Sequence, residues 1–158
     1  MPGPGQGATP QAPAMPAQSI VRTLARIVLG AAYIFAGVAH VVSPGGFLKI
    51  TPAWVPQPEI IVLFTGIAEI AGGVALLFIP RLRAAAGVGL ALYAVCVFPA
   101  NINHAINNIA IGAQPLTWWY HAPRLALQPV VVWWALWAGG VTDWPFRRHH
   151  QLRRERAD

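Results

Sequence analysis

Charge is what this chain has least of. Asp, Glu, Lys and Arg make up 10% of its 158 residues, against 56% hydrophobic ones. A soluble domain carries roughly 25% charged residues, so this chain cannot clothe a water-facing surface. That excludes an ordinary soluble domain and points to an integral membrane protein of one compact domain. The single cysteine, Cys96, excludes an intrachain disulfide and any CxxC redox pair. It falls inside an apolar run, where a buried thiol is an inert packing group. Also missing are a Walker loop, a nucleophile elbow, an HEXXH zinc motif and any defensible internal repeat. Two histidines, His40 and His104, are too few for a zinc site, and no metal is expected.

Acid is scarce relative to base, giving a formal charge of +6. Five of the eleven Lys and Arg residues lie in the last twelve positions, RRHHQLRRERAD. Basic residues beside a membrane span set orientation or touch anionic lipid. No base-reading module accompanies them, so no nucleic-acid partner is expected.

What is present is long apolar runs. Residues 1–18 form a Pro/Gly/Ala-rich stretch with neither a basic start nor a hydrophobic centre, read as a disordered tail and not a signal peptide. Four apolar segments follow over 19–145: Ile20 to Val42, with Ser19 as cap; Glu59 to Ile79; Ala84 past Pro99 to about Asn107; and Pro123 to Val141, with Pro129 inside. Each approaches the roughly 20 residues that cross a bilayer. Proline is tolerated there where neighbours satisfy the freed carbonyl, so Pro99 and Pro129 read as kinks. Residues 146–158 form a basic tail. With the N-terminus in the cytoplasm, Arg22, Arg26, Arg81, Arg83, Arg147, Arg148, Arg153, Arg154 and Arg156 fall inside, and only Lys49 and Arg124 outside. That bias predicts an all-α, four-helix membrane bundle with both termini cytoplasmic. The first outer connection carries Phe47, Leu48, Ile50 and Trp54, and reads as a half-helix resting on the interface. Trp118, Trp119 and Tyr120 in the second read as an aromatic belt, and Trp144 as an anchor at the inner interface.

Glu69 lies at the centre of the second segment. A carboxylate there costs on the order of 2.5–3.5 kcal/mol on insertion scales, so it needs a partner, a proton or a wet cavity. Val62, Gly66 and Gly73 share its face, and small residues let membrane helices approach closely. Tyr33, Ala36, Gly37 and His40 share a face of the first span; Asn101, His104 and Asn108 share one of the third, beside Asn103 and Asn107. Arg124 and Gln128 are one turn apart on the fourth. At 1.5 Å per residue, Glu69 lies about 15 Å below the start of its helix, while the other polar residues collect toward the outer ends. The expectation is an outward-opening polar pocket with Glu69 at its floor and His40, Asn101, His104, Arg124 and Gln128 around it. For Asn101, Asn103 and Gln128, simple joining of helices explains the same polarity. For Arg124 the plain alternative is snorkelling at the interface.

Three stretches, FAGVAHVVSPGGFLKITPAWVP, GIAEIAGGVALL followed by PRLR, and FPANINHAINN, with a later RLALQPVVVWWA, resemble the DoxX family of small four-span bacterial membrane proteins. The likeness covers about residues 22–141. It implies a multi-pass protein of the bacterial cytoplasmic (inner) membrane, associated with quinone-linked oxidation and with soluble or membrane redox partners. The family pattern sets polar residues at His40, Glu69, Asn101, Asn103, Arg124 and Gln128 without fixing their roles.

Three functions remain open. The first is a quinone-interacting subunit of a redox complex. Glu69 and His40 would handle protons there, and Tyr33, Asn101, His104, Arg124 and Gln128 would bind the ligand. With no flavin motif, cysteine pair or iron–sulfur spacing, a partner must supply electrons. The second is haem held by His40 and His104, a thin signal. The third is a non-enzymatic binding or assembly component, alone or as a homo-oligomer, or a small-solute or proton path. Whether the chain is an enzyme stays open.

Overall fold

The computed structural model describes residues 17–112 and 117–144. The tail expected over 1–18 lies outside these residues except for Ala17 and Gln18, and the tail over 146–158 lies wholly outside them. Every described element is helical: α1 Ala17–Val42, α2 Gly45–Ile50, α3 Pro58–Phe78, a 3-10 turn Pro80–Leu82, α4 Arg83–Ile106, α5 Trp118–Ala126 and α6 Gln128–Gly139. Three stretches are long and apolar enough to cross a membrane: Ile20–Val42, Pro58–Phe78 and Pro80–Ile106. The chain is therefore read as a multi-pass membrane protein. Its outward-facing side chains agree, because Phe35, Phe64, Leu92 and Val95 are exposed at mid-helix, where only lipid suits them.

Several boundaries differ from expectation. Helix α1 begins at Ala17, so Ser19 lies inside it and is no cap. Ala17 and Gln18 are good helix formers, so no stop is imposed there. Helix α4 runs unbroken through Pro99. It ends where Asn108 adopts φ 44° and Ile109 N–H bonds back to His104 O at 3.2 Å, a Schellman-type stop that asparagine tolerates. Asn108 therefore ends the helix and leaves the face expected to hold Asn101 and His104. The fourth segment begins earlier than expected and is split. Helices α5 and α6 join through Leu127 with backbone bonds running on, Leu127 N–H to Pro123 O and Val131 N–H to Leu127 O, both 2.9 Å. Pro129 removes the donor that would have continued the ladder to Leu125.

Two helix pairs make the frame: α1 packs chiefly on α3, and α4 on α6. Glycine permits both approaches. A Cβ on Gly37 would meet Gly66 O at 2.5 Å, and one on Gly87 would meet Ala135 O at 2.7 Å. No side chain fits at either place, so the backbones touch. The pairs meet through a buried core of Leu29, Tyr33, Leu76, Ala86, Leu90, Ala91, Ala135 and Ala138. Arg22 on α1 pairs with Asp143 beyond α6, so the start of the first helix and the end of the last lie together. At the opposite end, Asn103 on α4 donates to Ile50 O at the end of α2 (2.9 Å).

Candidate functional site

Beyond the core, toward that opposite end, the two pairs part around a cavity of about 510 Å³. Ligand pockets commonly fall in this size range. Its walls are mostly apolar and come from α1 to α6 and the 51–55 loop. Polar groups gather on two sides.

One side carries Glu69, which is 4% exposed and shares the buried face of α3 with Val62, Gly66 and Gly73. The sequence spacing had marked that face. Opposite it on α1 stands His40, whose Nδ1 lies 2.9 Å from Glu69 Oε2 and 2.9 Å from Ala36 O. The ring N–H is directed at the Ala36 carbonyl. Glu69 Oε2 therefore has the imidazole as a close neighbour yet no directed donor among the described residues. Gly66 makes this proximity possible, since a Cβ there would meet His40 Cβ at 2.7 Å. Tyr93 lines the same cavity as Glu69. Tyr33 packs edge-on against Tyr93, with centroids 6.0 Å apart, and donates to Leu90 O at 3.3 Å.

The other side is a connected polar chain. Arg124 Nη1 donates to His104 Nδ1 at 2.7 Å, and Nη2 to Asn101 Oδ1 at 2.6 Å. Asn101 Nδ2 donates to Gln128 Oε1 at 3.2 Å, and Gln128 Nε2 donates to Ala94 O. Ala94 precedes the carbonyl of Val95, which Pro99 leaves without its helical donor. The turn that proline loosens is thus held from the neighbouring helix. Arg124 makes no ion pair with Glu69, and its described hydrogen-bond partners are both neutral. Its positive charge is left for whatever enters the cavity.

The cavity lining thus brings together Tyr33, His40, Glu69, Asn101, Arg124 and Gln128. His104 is not part of it. It is fully buried behind Arg124, with the His121 ring at 4.8 Å, and acts as a support that accepts from the guanidinium. Accepting at Nδ1 assigns the proton of a neutral ring to Nε2. Asn103 and Asn107 lie off the cavity as well; Asn107 Nδ2 bonds Asn103 Oδ1 at 2.7 Å, and Asn103 holds α2. Cys96, expected to be buried, is exposed and borders the cavity, because its side of α4 faces outward below Pro99.

Sequence reasoning missed Phe47 and Tyr93. Phe47 is half-buried. It stacks on His40 with centroids 3.6 Å apart, and Ile50 is buried beside it. Of that half-helix region, Trp54 stays largely exposed. The signal was available: a connection carrying Phe47 and Ile50 three residues apart has one apolar side, and the histidine end of α1 lies next to it.

Residues 29–139 match the model of a family described as a domain of unknown function, DUF8561. The chain belongs to this family. That stretch takes in the cavity and every lining residue named above. No curated protein and no solved structure matches the chain. Among the described residues, no three His, Cys, Asp or Glu side chains group as metal ligands do.

Proposed function

We propose that this DUF8561 member is a four-span protein of the bacterial cytoplasmic membrane, similar to DoxX proteins, whose cavity binds the headgroup of a quinone. The fourth crossing is α5 with α6, since 118–139 spans about 33 Å as helix. The pairing of Arg22 with Asp143 supports an even number of crossings. The arginine bias supports cytoplasmic termini.

One observation carries the ligand reading. A buried carboxylate oxygen without a directed donor, and a guanidinium without a described carboxylate partner, border one apolar cavity. Quinone and quinol heads present carbonyl or hydroxyl oxygens on opposite edges of a flat apolar ring. Arg124, held by Asn101 and His104, donates to one edge. Glu69 accepts a hydroxyl proton at the other, and His40 is close enough to share it. Phe47, stacked on His40, offers an aromatic face. When bound, the quinone supplies two-electron chemistry, and a partner protein supplies the electrons. Haem fits less well, because His104 stands outside the cavity that His40 borders.

The test is binding of a short-chain benzoquinone to the purified protein in nanodiscs. Glu69→Gln, His40→Ala and Arg124→Lys should each weaken it about tenfold or more, the scale of a hydrogen bond to a charged group. Unchanged affinity in all of them removes this site. The close approach of Glu69 and His40 also favours a second reading, a proton path. Proton flux in proteoliposomes that is lost in Glu69→Gln, without quinone binding, would select it.

A further inference from the structure

The end of the bundle away from the cavity gathers arginines from different helices. Arg22 and Arg26 are one turn apart on α1. Arg26 Nε donates to Ala138 O at 3.0 Å near the end of α6. Arg22 Nη2 donates to Thr142 O at 3.3 Å and pairs with Asp143, and its guanidinium carbon lies 5.2 Å from the Trp137 ring centroid. Arg83 opens α4 against the same place, for a Cβ on Gly139 would meet Arg83 O at 2.8 Å. Arg22 and Arg26 thus both bond at or just past the end of α6, and the backbone of Arg83 touches that same end.

Among the described residues, Asp143 is the carboxylate at this end. One acid faces three cations. Two of the arginines also keep unused donors: Arg22 Nε and Arg83 Nε are buried with no acceptor among the described residues. Arg83 Nη2 reaches Leu77 O only at 3.5 Å, a long contact for a cationic donor. Fixing orientation in the membrane needs positive charge near the interface. It does not need arginines of two helices set at one end of the bundle with their Nε–H groups buried.

We propose that Arg22, Arg26 and Arg83 form a binding site for a phosphate group. A phosphate oxyanion has several acceptor oxygens, relieves the mutual repulsion of the cations and satisfies donors from more than one guanidinium. It comes either from the headgroup of an anionic lipid lying against the bundle or from free phosphate.

The experiment uses the full chain, delipidated in a neutral detergent, with native mass spectrometry and thermal unfolding as readouts. The additions are phosphatidylglycerol, phosphatidylcholine or inorganic phosphate. Preferential retention of phosphatidylglycerol with a raised Tm supports a lipid source, and a raised Tm with inorganic phosphate alone supports a free one. The Arg26→Gln, Arg83→Gln double variant should weaken the bound species about thirtyfold, taking about fivefold per lost cation. Arg81→Gln, on the exposed turn, should lose no more than about fivefold. Should the double variant not fold, Asp143→Asn removes the competing carboxylate and should tighten binding. The site is overturned if neither phosphatidylglycerol nor phosphate is preferred over phosphatidylcholine. Equal losses in the double variant and Arg81→Gln, or no tightening in Asp143→Asn, overturn it as well.

Discussion

At the scale of single residues, a glycine sets the distance between the buried acid and its imidazole. Gly66→Ala would push its new methyl into His40 Cβ and Gly37 O, 2.7 and 3.0 Å away. Both belong to the facing helix, so α1 and α3 must separate. We expect a loss of about 1–3 kcal/mol, typical of overpacking, read as a lower unfolding temperature in detergent. Gly89→Ala is the control, since a Cβ there meets nothing within 4 Å, and it should be neutral or slightly stabilising. A drop of equal size in both would show that helix approach is not what Gly66 provides. The acid's surroundings were legible in the sequence because Val62, Gly66 and Gly73 flank Glu69 at helical spacing. The role of His104 was not. Spacing names the residues on a face but not what stands across from them, and Arg124 comes between His104 and the cavity.

At the scale of elements, the short helix α2 is held by few ties. Its last carbonyl, Ile50 O, accepts from Asn103 on α4, and its Phe47 lies on His40. Asn103→Ala leaves that carbonyl without its partner and should cost about 1 kcal/mol. Hydrogen exchange should quicken over residues 45–55, with α1, α3 and α4 unchanged. Uniform quickening everywhere would instead mean that Asn103 supports the whole bundle. The long helices were readable to within about three residues from apolar runs and turn residues, the start of α1 being the largest miss. The fourth segment was harder, because Trp118 to Leu125 is amphipathic and carries Pro123, Arg124 and the three aromatic rings of Trp118, Trp119 and Tyr120. Its hydropathy resembles a loop, and only packing against α4 and α6 fixes it as helix. For α2, propensity gives little signal over six residues, so its side facing the bundle had to come from tertiary contacts.

At the scale of the whole molecule, the proposed topology can be tested directly. In a Cys96→Ser background, single cysteines at Trp54, Arg81 and Val141 should react with a membrane-impermeant maleimide on opposite faces. Trp54→Cys labels from one side; Arg81→Cys and Val141→Cys label from the other. Labelling of Val141→Cys together with Trp54→Cys would remove the fourth crossing and leave the three long helices standing. The three long spans and the basic bias were plain in the sequence, since both are matters of composition. The union of the helices into two glycine-sealed pairs was not, because a small residue marks a close approach without naming its partner.

The arrangement works like a clothes-peg. Each arm is a pair of helices locked backbone to backbone, the apolar core grips them at one end, and the jaws are the cavity. Substitutions inside an arm change whether the peg holds together. Substitutions on the jaws, at Phe47, Tyr93 or Val131, change what it can grip. Durability and choice of guest meet where arm joins jaw: Tyr33 belongs to both the core and the cavity lining, so a change there alters grip and guest together.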